Sequence, residues 1–185
     1  MKMTILAVAA IASLSTAAYA GDTTVSLSYG STFAPDGFSE SLTNPTEIAI
    51  THDFGAVTAG LAYGTDDTVK TLEATAGADY ALADGVDLHG ALGIGQTVDS
   101  NDFAYYAVYG GADVKINDKL SWDAVEYRYR NAFDTANNFE SHRLATGLTY
   151  AVNDKVDLNG TVYRDFDGNF DATNNGVEVG VAYKF

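Results

Sequence analysis

The chain has 185 residues, with 10 lysines and arginines against 25 aspartates and glutamates, a formal net charge of −15. That balance excludes nucleic acid as a partner, because phosphate binding needs a basic face. Cysteine is absent, so no disulfide or thiolate metal site holds the chain together, and the length reads as one domain.

In chain order, residues 1–20 read as a cleaved signal peptide. Lys2 gives a short positive start, residues 5–14 are an apolar run, and Ala18-Tyr19-Ala20 is an A-x-A cleavage signal before Gly21. The apolar run is about half of the ~20 residues that a spanning helix requires. Residues 21–185 are therefore the expected mature chain, a single barrel domain as argued below. Without Lys2, nine basic residues face twenty-five acidic ones, a net charge of −16. Twelve Tyr, nine Phe and eighteen Gly against two Pro favour strands and tight turns over helices.

Alternation with a period of two then runs to the end of the chain. It predicts ten antiparallel strands, at about 23–30, 46–54, 56–64, 70–81, 85–95, 103–115, 119–130, 142–152, 155–164 and 176–185, with eight as the alternative count. In the third, Val57, Ala59, Leu61 and Tyr63 share a face. In the fourth, Leu72, Ala74, Ala76, Ala78 and Tyr80 oppose Glu73, Thr75, Gly77 and Asp79. In the fifth, Val86, Leu88, Leu92 and Ile94 oppose Asp87 and His89. The seventh breaks the pattern: Leu120, Trp122 and Ala124 share a parity with Glu126, Arg128 and Arg130, while Val125, Tyr127 and Tyr129 take the other. A β-bulge near residues 123–125 would reconcile its halves. In the last strand Val177, Val179, Val181, Tyr183 and Phe185 oppose Glu178, Gly180, Ala182 and Lys184.

The connections alternate in length. Short turns fall at 54–56, 81–85, 116–119 and 152–155, and mostly longer loops at 31–45, 65–69, 96–102, 131–141 and 165–175. Pro35 and Pro45 lie in the longest loop, where no ladder hydrogen bond is lost. One hairpin recurs: Tyr80-Ala-Leu-Ala-Asp84-Gly-Val86-Asp87-Leu88-His-Gly90 matches Tyr150-Ala-Val-Asn-Asp154-Lys-Val156-Asp157-Leu158-Asn-Gly160 at seven of eleven positions. A looser copy is Asp113-Val-Lys-Ile-Asn-Asp118-Lys-Leu-Ser-Trp122.

Short turns on one side and long loops on the other are the pattern of a transmembrane barrel, and ten strands put both termini on the short-turn side. A soluble lipocalin-like barrel would turn the same apolar stripe inward. Three features favour the membrane: the asymmetric loops; the charged opposite face, with Glu73, Asp79, Asp87, Asp113, Glu126, Arg128 and Glu178; and aromatics near expected strand ends, Tyr29, Tyr80, Trp122, Tyr150, Tyr183 and Phe185, as an interfacial girdle requires.

With its signal peptide, repeated hairpins and terminal Val-Ala-Tyr-Lys-Phe, the chain resembles Gram-negative outer-membrane β-barrels of the porin-like and OmpA-like kind. The resemblance implies an all-β, up-and-down barrel in the outer membrane, surrounded by lipid and lipopolysaccharide. It also implies a terminal strand, ending in Phe185, that the barrel-assembly machinery reads. A narrow polar channel or structural barrel is the leading expectation, a surface-binding barrel acting through its loops the alternative, and a barrel enzyme the least favoured. No cofactor is expected.

Arg128, Arg130 and Arg143 form the most suggestive cluster. Their strands are hairpin neighbours, and all three can point into the lumen near the outer mouth, to tune anion passage or to bind lipopolysaccharide phosphate. The competing role is a lumen ion-pair network with Glu126, Glu140 or Glu178, because unpaired buried charge is costly. Asp87 and His89 resemble the acid and histidine of omptin-type proteases, but follow a short turn rather than lining the outer mouth. His52 and His142 lie on other strands. Asp165-Phe-Asp167-Gly-Asn169-Phe-Asp171 has the alternating oxygens of a calcium loop, yet Phe170 stands where glycine belongs and Gly176 where the closing glutamate belongs. It reads as an acidic solvated loop. Ser141 and His142 are adjacent, and consecutive strand residues face opposite ways, which argues against a dyad.

Overall fold

The computed structural model describes residues 22–67, 69–98, 102–137 and 139–185, and the expected signal peptide lies outside the described residues. Eleven strands follow in order: β1 (Thr23–Phe33), β2 (Ser41–Thr43), β3 (Thr46–Asp53), β4 (Thr58–Thr65), β5 (Lys70–Ala83), β6 (Val86–Thr97), β7 (Ala104–Asn117), β8 (Leu120–Ala132), β9 (Glu140–Asn153), β10 (Val156–Asp167) and β11 (Ala172–Lys184). From β3 onward each pairs antiparallel with the next, β1 pairs antiparallel with β3, and β11 closes onto β1 from Thr24↔Lys184 to Phe33↔Asn175. Ten strands thus make the barrel. The extra strand, β2, pairs with the outer end of β1 inside the region expected to be loop.

Several strands outrun the expected boundaries at their loop ends. β1 continues to Phe33, β6 to Thr97 and β10 to Asp167, while β9 begins at Glu140 and β11 at Ala172. These extensions are mostly polar, so apolar alternation fades where the ladder of backbone hydrogen bonds still persists. Two of the short turns share a device. Asn117 Oδ1 accepts from the amides of Lys119 (2.9 Å) and Leu120 (3.1 Å), and Asn153 Oδ1 from that of Lys155 (2.9 Å). The asparagine before the repeated Asp therefore caps the turn. Asp118, next along, bonds Lys115 Nζ at 2.9 Å, which holds its carboxyl below the usual range.

The barrel is packed inside out. Leu92, Ile94 and Val179 on the outer face are 60–67 % exposed, whereas Tyr105 and Ala107, facing the lumen, are each 1 % exposed. On β11 the outward row is Val177, Val179, Val181 and Tyr183, as alternation requires. Closure satisfies the backbone of every barrel strand within the sheet, the condition for crossing hydrocarbon.

The parity break in β8 is a bulge at Ala124. Ala112 pairs with Val125 and Asp113 with Asp123, and on the other side Asp123 pairs with Gly147 and Glu126 with Ala145. The extra residue reverses the facing. Leu120 and Trp122 join Val125, Tyr127 and Tyr129 outside, and Asp123, Glu126, Arg128 and Arg130 all turn inward. Thr146 secures the bulge from the next strand, its Oγ1 donating to the carbonyl of Asp123 and accepting from Trp122 Nε1, both at 2.9 Å.

Candidate functional site

The lumen holds two cavities. One, of about 540 Å³, opens toward the short turns past Thr51, Asp79 and His89. The other, of about 370 Å³, opens toward the loops past Asp66, Phe103 and Phe139. Six residues line both and so mark the waist: Glu47, Arg128, Arg130, Arg143, Tyr163 and Glu178.

The bulge delivers Arg128 and Arg130 to this waist, and register delivers Arg143, which pairs directly with Arg128 across β8 and β9. Arg143 makes a two-toothed bond to Asp165, Nε to Oδ1 at 2.6 Å and Nη2 to Oδ2 at 2.8 Å. Its Nη1 lies 4.0 Å from Glu178. Arg130 Nη2 pairs with Glu73 Oε2 at 2.8 Å and also donates to Tyr109 OH at 3.3 Å, while Tyr109 OH donates to Glu73 Oε1. Arg128 is served worst. Its Nε is buried without a hydrogen-bond partner among the described residues, and Asp165 Oδ1, 3.9 Å from its Nη2, is already held by Arg143.

Two tyrosines brace the committed arginines. The Tyr163 ring lies flat over Gly176 with Arg143 Cζ 3.5 Å from its centroid. Tyr105 covers Gly95 in the same way, with Arg130 Cζ 5.3 Å from its centroid. A β-carbon at either glycine would enter the ring. Gly176→Ala is therefore expected to cost about 1–3 kcal/mol, the usual penalty of overpacking, read by urea unfolding of the barrel in lipid vesicles.

Several sequence-based assignments need correction. Glu126 faces the lumen but forms no recorded ion pair with the arginines. Glu140 lies on the outward parity and accepts from Tyr129 OH at 3.2 Å. The close partners are Glu73 and Asp165, and of the three glutamates expected only Glu178 comes within ion-pair reach, 4.0 Å from Arg143. Alternation puts Glu73 on the lumen face but does not join it to the cluster. Asp165 reads as part of an acidic loop in the sequence, yet it lies in β10 with Arg143 as its cross-strand neighbour. Asp167 Oδ1 is used in the turn, accepting from the amides of Asn169 (2.9 Å) and Asp171 (3.0 Å). No metal-binding group of His, Cys, Asp or Glu occurs among the described residues.

The histidines are dispersed. His89 bonds Asp113 at 3.0 Å in the lumen, so its hydrogen-bond partner is Asp113 rather than Asp87. His52 bonds Thr23 (2.8 Å) and His142 bonds Tyr127 (2.6 Å), both on the outer face, and Ser141 points away from His142 into the lumen cavity.

The aromatic girdle is wider than expected. Tyr80, Trp122, Tyr150, Tyr183 and Phe185 ring the short-turn side, exposed to the surroundings. Tyr29 sits away from that ring, opposite Thr46 and four residues before the end of β1. Nearer the loops, an outward cluster that sequence reasoning missed joins Tyr106, Tyr129, Phe133, His142 and Phe170, with Phe170 stacked on His142 at 4.2 Å. The signal for its Tyr129 was present in the outward parity after the bulge.

No family model and no curated protein matches the chain. Solved structures match in fold. An outer membrane channel from Pseudomonas putida F1 is 10 % identical, with 91 % of this chain and 97 % of that one covered and a TM-score of 0.55. The KdgM porin in complex with disordered oligogalacturonate is 14 % identical, with 86 % of this chain and 99 % of that one covered and a TM-score of 0.53. Against the anion-selective porin from Comamonas acidovorans, 17 % identical over 80 % of this chain with a TM-score of 0.44, the chain spans about half (51 %) of the other's length. At such identities the likeness is one of fold. Closed ten-strand topology, an apolar outer belt with aromatic rims and a charged lumen together give this protein the fold of the small β-barrels found in the outer membrane, porins among them.

Proposed function

We propose that the barrel is a porin-like conduit giving small polar solutes a narrow path across the outer membrane. The observation that carries this reading is the pair of lumen cavities meeting at a charged waist, where Arg128 is left without a committed carboxylate. Eight strands leave an interior that side chains fill and sixteen leave an open channel, and ten lies between. Charge at such a waist matters more than net charge, because low-dielectric walls focus the field. The reading is non-catalytic, since each histidine is engaged with a Thr, Asp or Tyr at a different place on the barrel. Phe185, whose amide donates to the Thr23 carbonyl at 2.9 Å, is proposed as the end of the strand read by the assembly machinery.

Planar-bilayer recording tests the conduit. The wild-type barrel should conduct, and Arg128→Gln should shift selectivity toward cations, most at low salt where screening is weak. A folded wild-type barrel that never conducts would leave a structural or surface-binding role instead.

A further inference from the structure

Around the ten-strand ring, β3 lies opposite β8: four barrel strands separate them in either direction. Glu47 on β3 and Arg128 on β8 therefore face each other across the lumen, and both line the two cavities. They differ from the other waist charges in one respect. Arg130 is paired with Glu73, and Arg143 with Asp165 and Glu178. Glu47 has no ion pair or hydrogen bond with a described residue and is exposed to the lumen. Arg128 has at best a distant share of an occupied carboxylate. Among the described residues of the waist, one wall thus presents an under-used cation and the opposite wall an unpaired anion.

Deepening the porin reading, whose solvent-filled lumen it requires, we infer that the waist is a binding site for a small zwitterion, its carboxylate on Arg128 and its ammonium on Glu47. A simple anion would gain Arg128 but meet Glu47 and Glu178. A simple cation would gain Glu47 but meet three arginines. A molecule carrying both charges at its two ends satisfies each wall and leaves neither charge opposed. The guanidinium suits the carboxylate because its planar fork matches two oxygens, and the water-exposed Glu47 carboxylate suits a compact ammonium.

Calorimetric titration of the folded barrel in detergent micelles tests this with three probes of similar length. They are 6-aminohexanoate, N-acetyl-6-aminohexanoate, which keeps only the carboxylate, and 6-aminohexanamide, which keeps only the ammonium. The zwitterion should bind at least about tenfold more tightly than either, the scale of one charge-assisted hydrogen bond. Arg128→Gln should remove that advantage over 6-aminohexanamide, whose own binding should hold or tighten because one fewer arginine opposes its ammonium. Glu47→Gln should remove the advantage over the N-acetyl probe. Heat-modifiable migration checks that each variant is folded; should Arg128→Gln misfold, Glu47→Gln decides, because Glu47 holds no contact that folding needs. Equal binding of the three probes, or an undiminished advantage in folded Glu47→Gln, overturns the inference. A barrel that prefers the zwitterion yet never conducts removes the porin reading and keeps the site, while a conducting barrel without the preference does the reverse.

Discussion

Asp165→Asn should cost the barrel about 3 kcal/mol, near the low end for breaking a buried ion pair because the lumen is hydrated. The carboxylate takes both teeth of Arg143 and is also the nearest recorded anion to Arg128, and its side chain is 13 % exposed. Asparagine would still offer one acceptor oxygen but no charge. Arg128 and Arg143, directly paired across β8 and β9, would then repel each other with only Glu178 close to either. Urea unfolding in vesicles, followed through the single tryptophan Trp122, measures the loss. The double variant Arg143→Met with Asp165→Leu should recover part of it, since the repulsion between Arg128 and Arg143 goes with the charges, while Arg128 still lacks its nearest carboxylate and Glu178 its arginine. A change within about 0.5 kcal/mol, the range of ordinary surface substitutions, would mean that the pair is not structural.

Leu92→Arg should cost about 2–4 kcal/mol, the penalty for arginine on the lipid face near the bilayer midplane. Leu92 stands in the middle of β6, outward and 67 % exposed, beside Val108. Leu88, closer to the short turn on the same face, should cost less on the same change, because arginine there can reach the interface. Asn159→Arg is the control, for Asn159 lies on the lumen parity of β10, where the charge remains solvated. The order Leu92, then Leu88, then Asn159 in vesicle folding is the expected result. Equal losses at Leu92 and Asn159 would mean that the apolar face is not in lipid.

Most of the architecture was legible because a membrane barrel writes its two environments onto alternate residues. Each strand is short, meets lipid on one face and water on the other, and so repeats with a period of two. Even the bulge at Ala124 was visible, as the one place where Trp122 and Arg128 shared a parity that no regular strand could satisfy. The termini and turns followed from loop lengths. What pattern could not supply was the outer end of the strands. There the chain leaves hydrocarbon, alternation loses its cause, and β2 and the extensions of β6 and β10 persist on backbone pairing and polar side-chain bonds such as Thr32–Thr43 and Arg143–Asp165.

The waist was legible only in part. Arg128, Arg130 and Arg143 could be placed together from neighbouring strands, whose pairing is local in the chain. Their carboxylates could not be assigned. Asp165 sits in a run of alternating acids that imitates a loop, and its place beside Arg143 depends on how far the β9–β10 ladder continues. Glu73 reaches Arg130 from β5, three strands away around the ring. The confrontation of Glu47 with Arg128 depends on the barrel closing at ten strands. Alternation specifies which way a side chain points, and a single strand carries that information. Which charges meet inside depends on strand number, register and closure, properties of the whole sheet that no single strand contains.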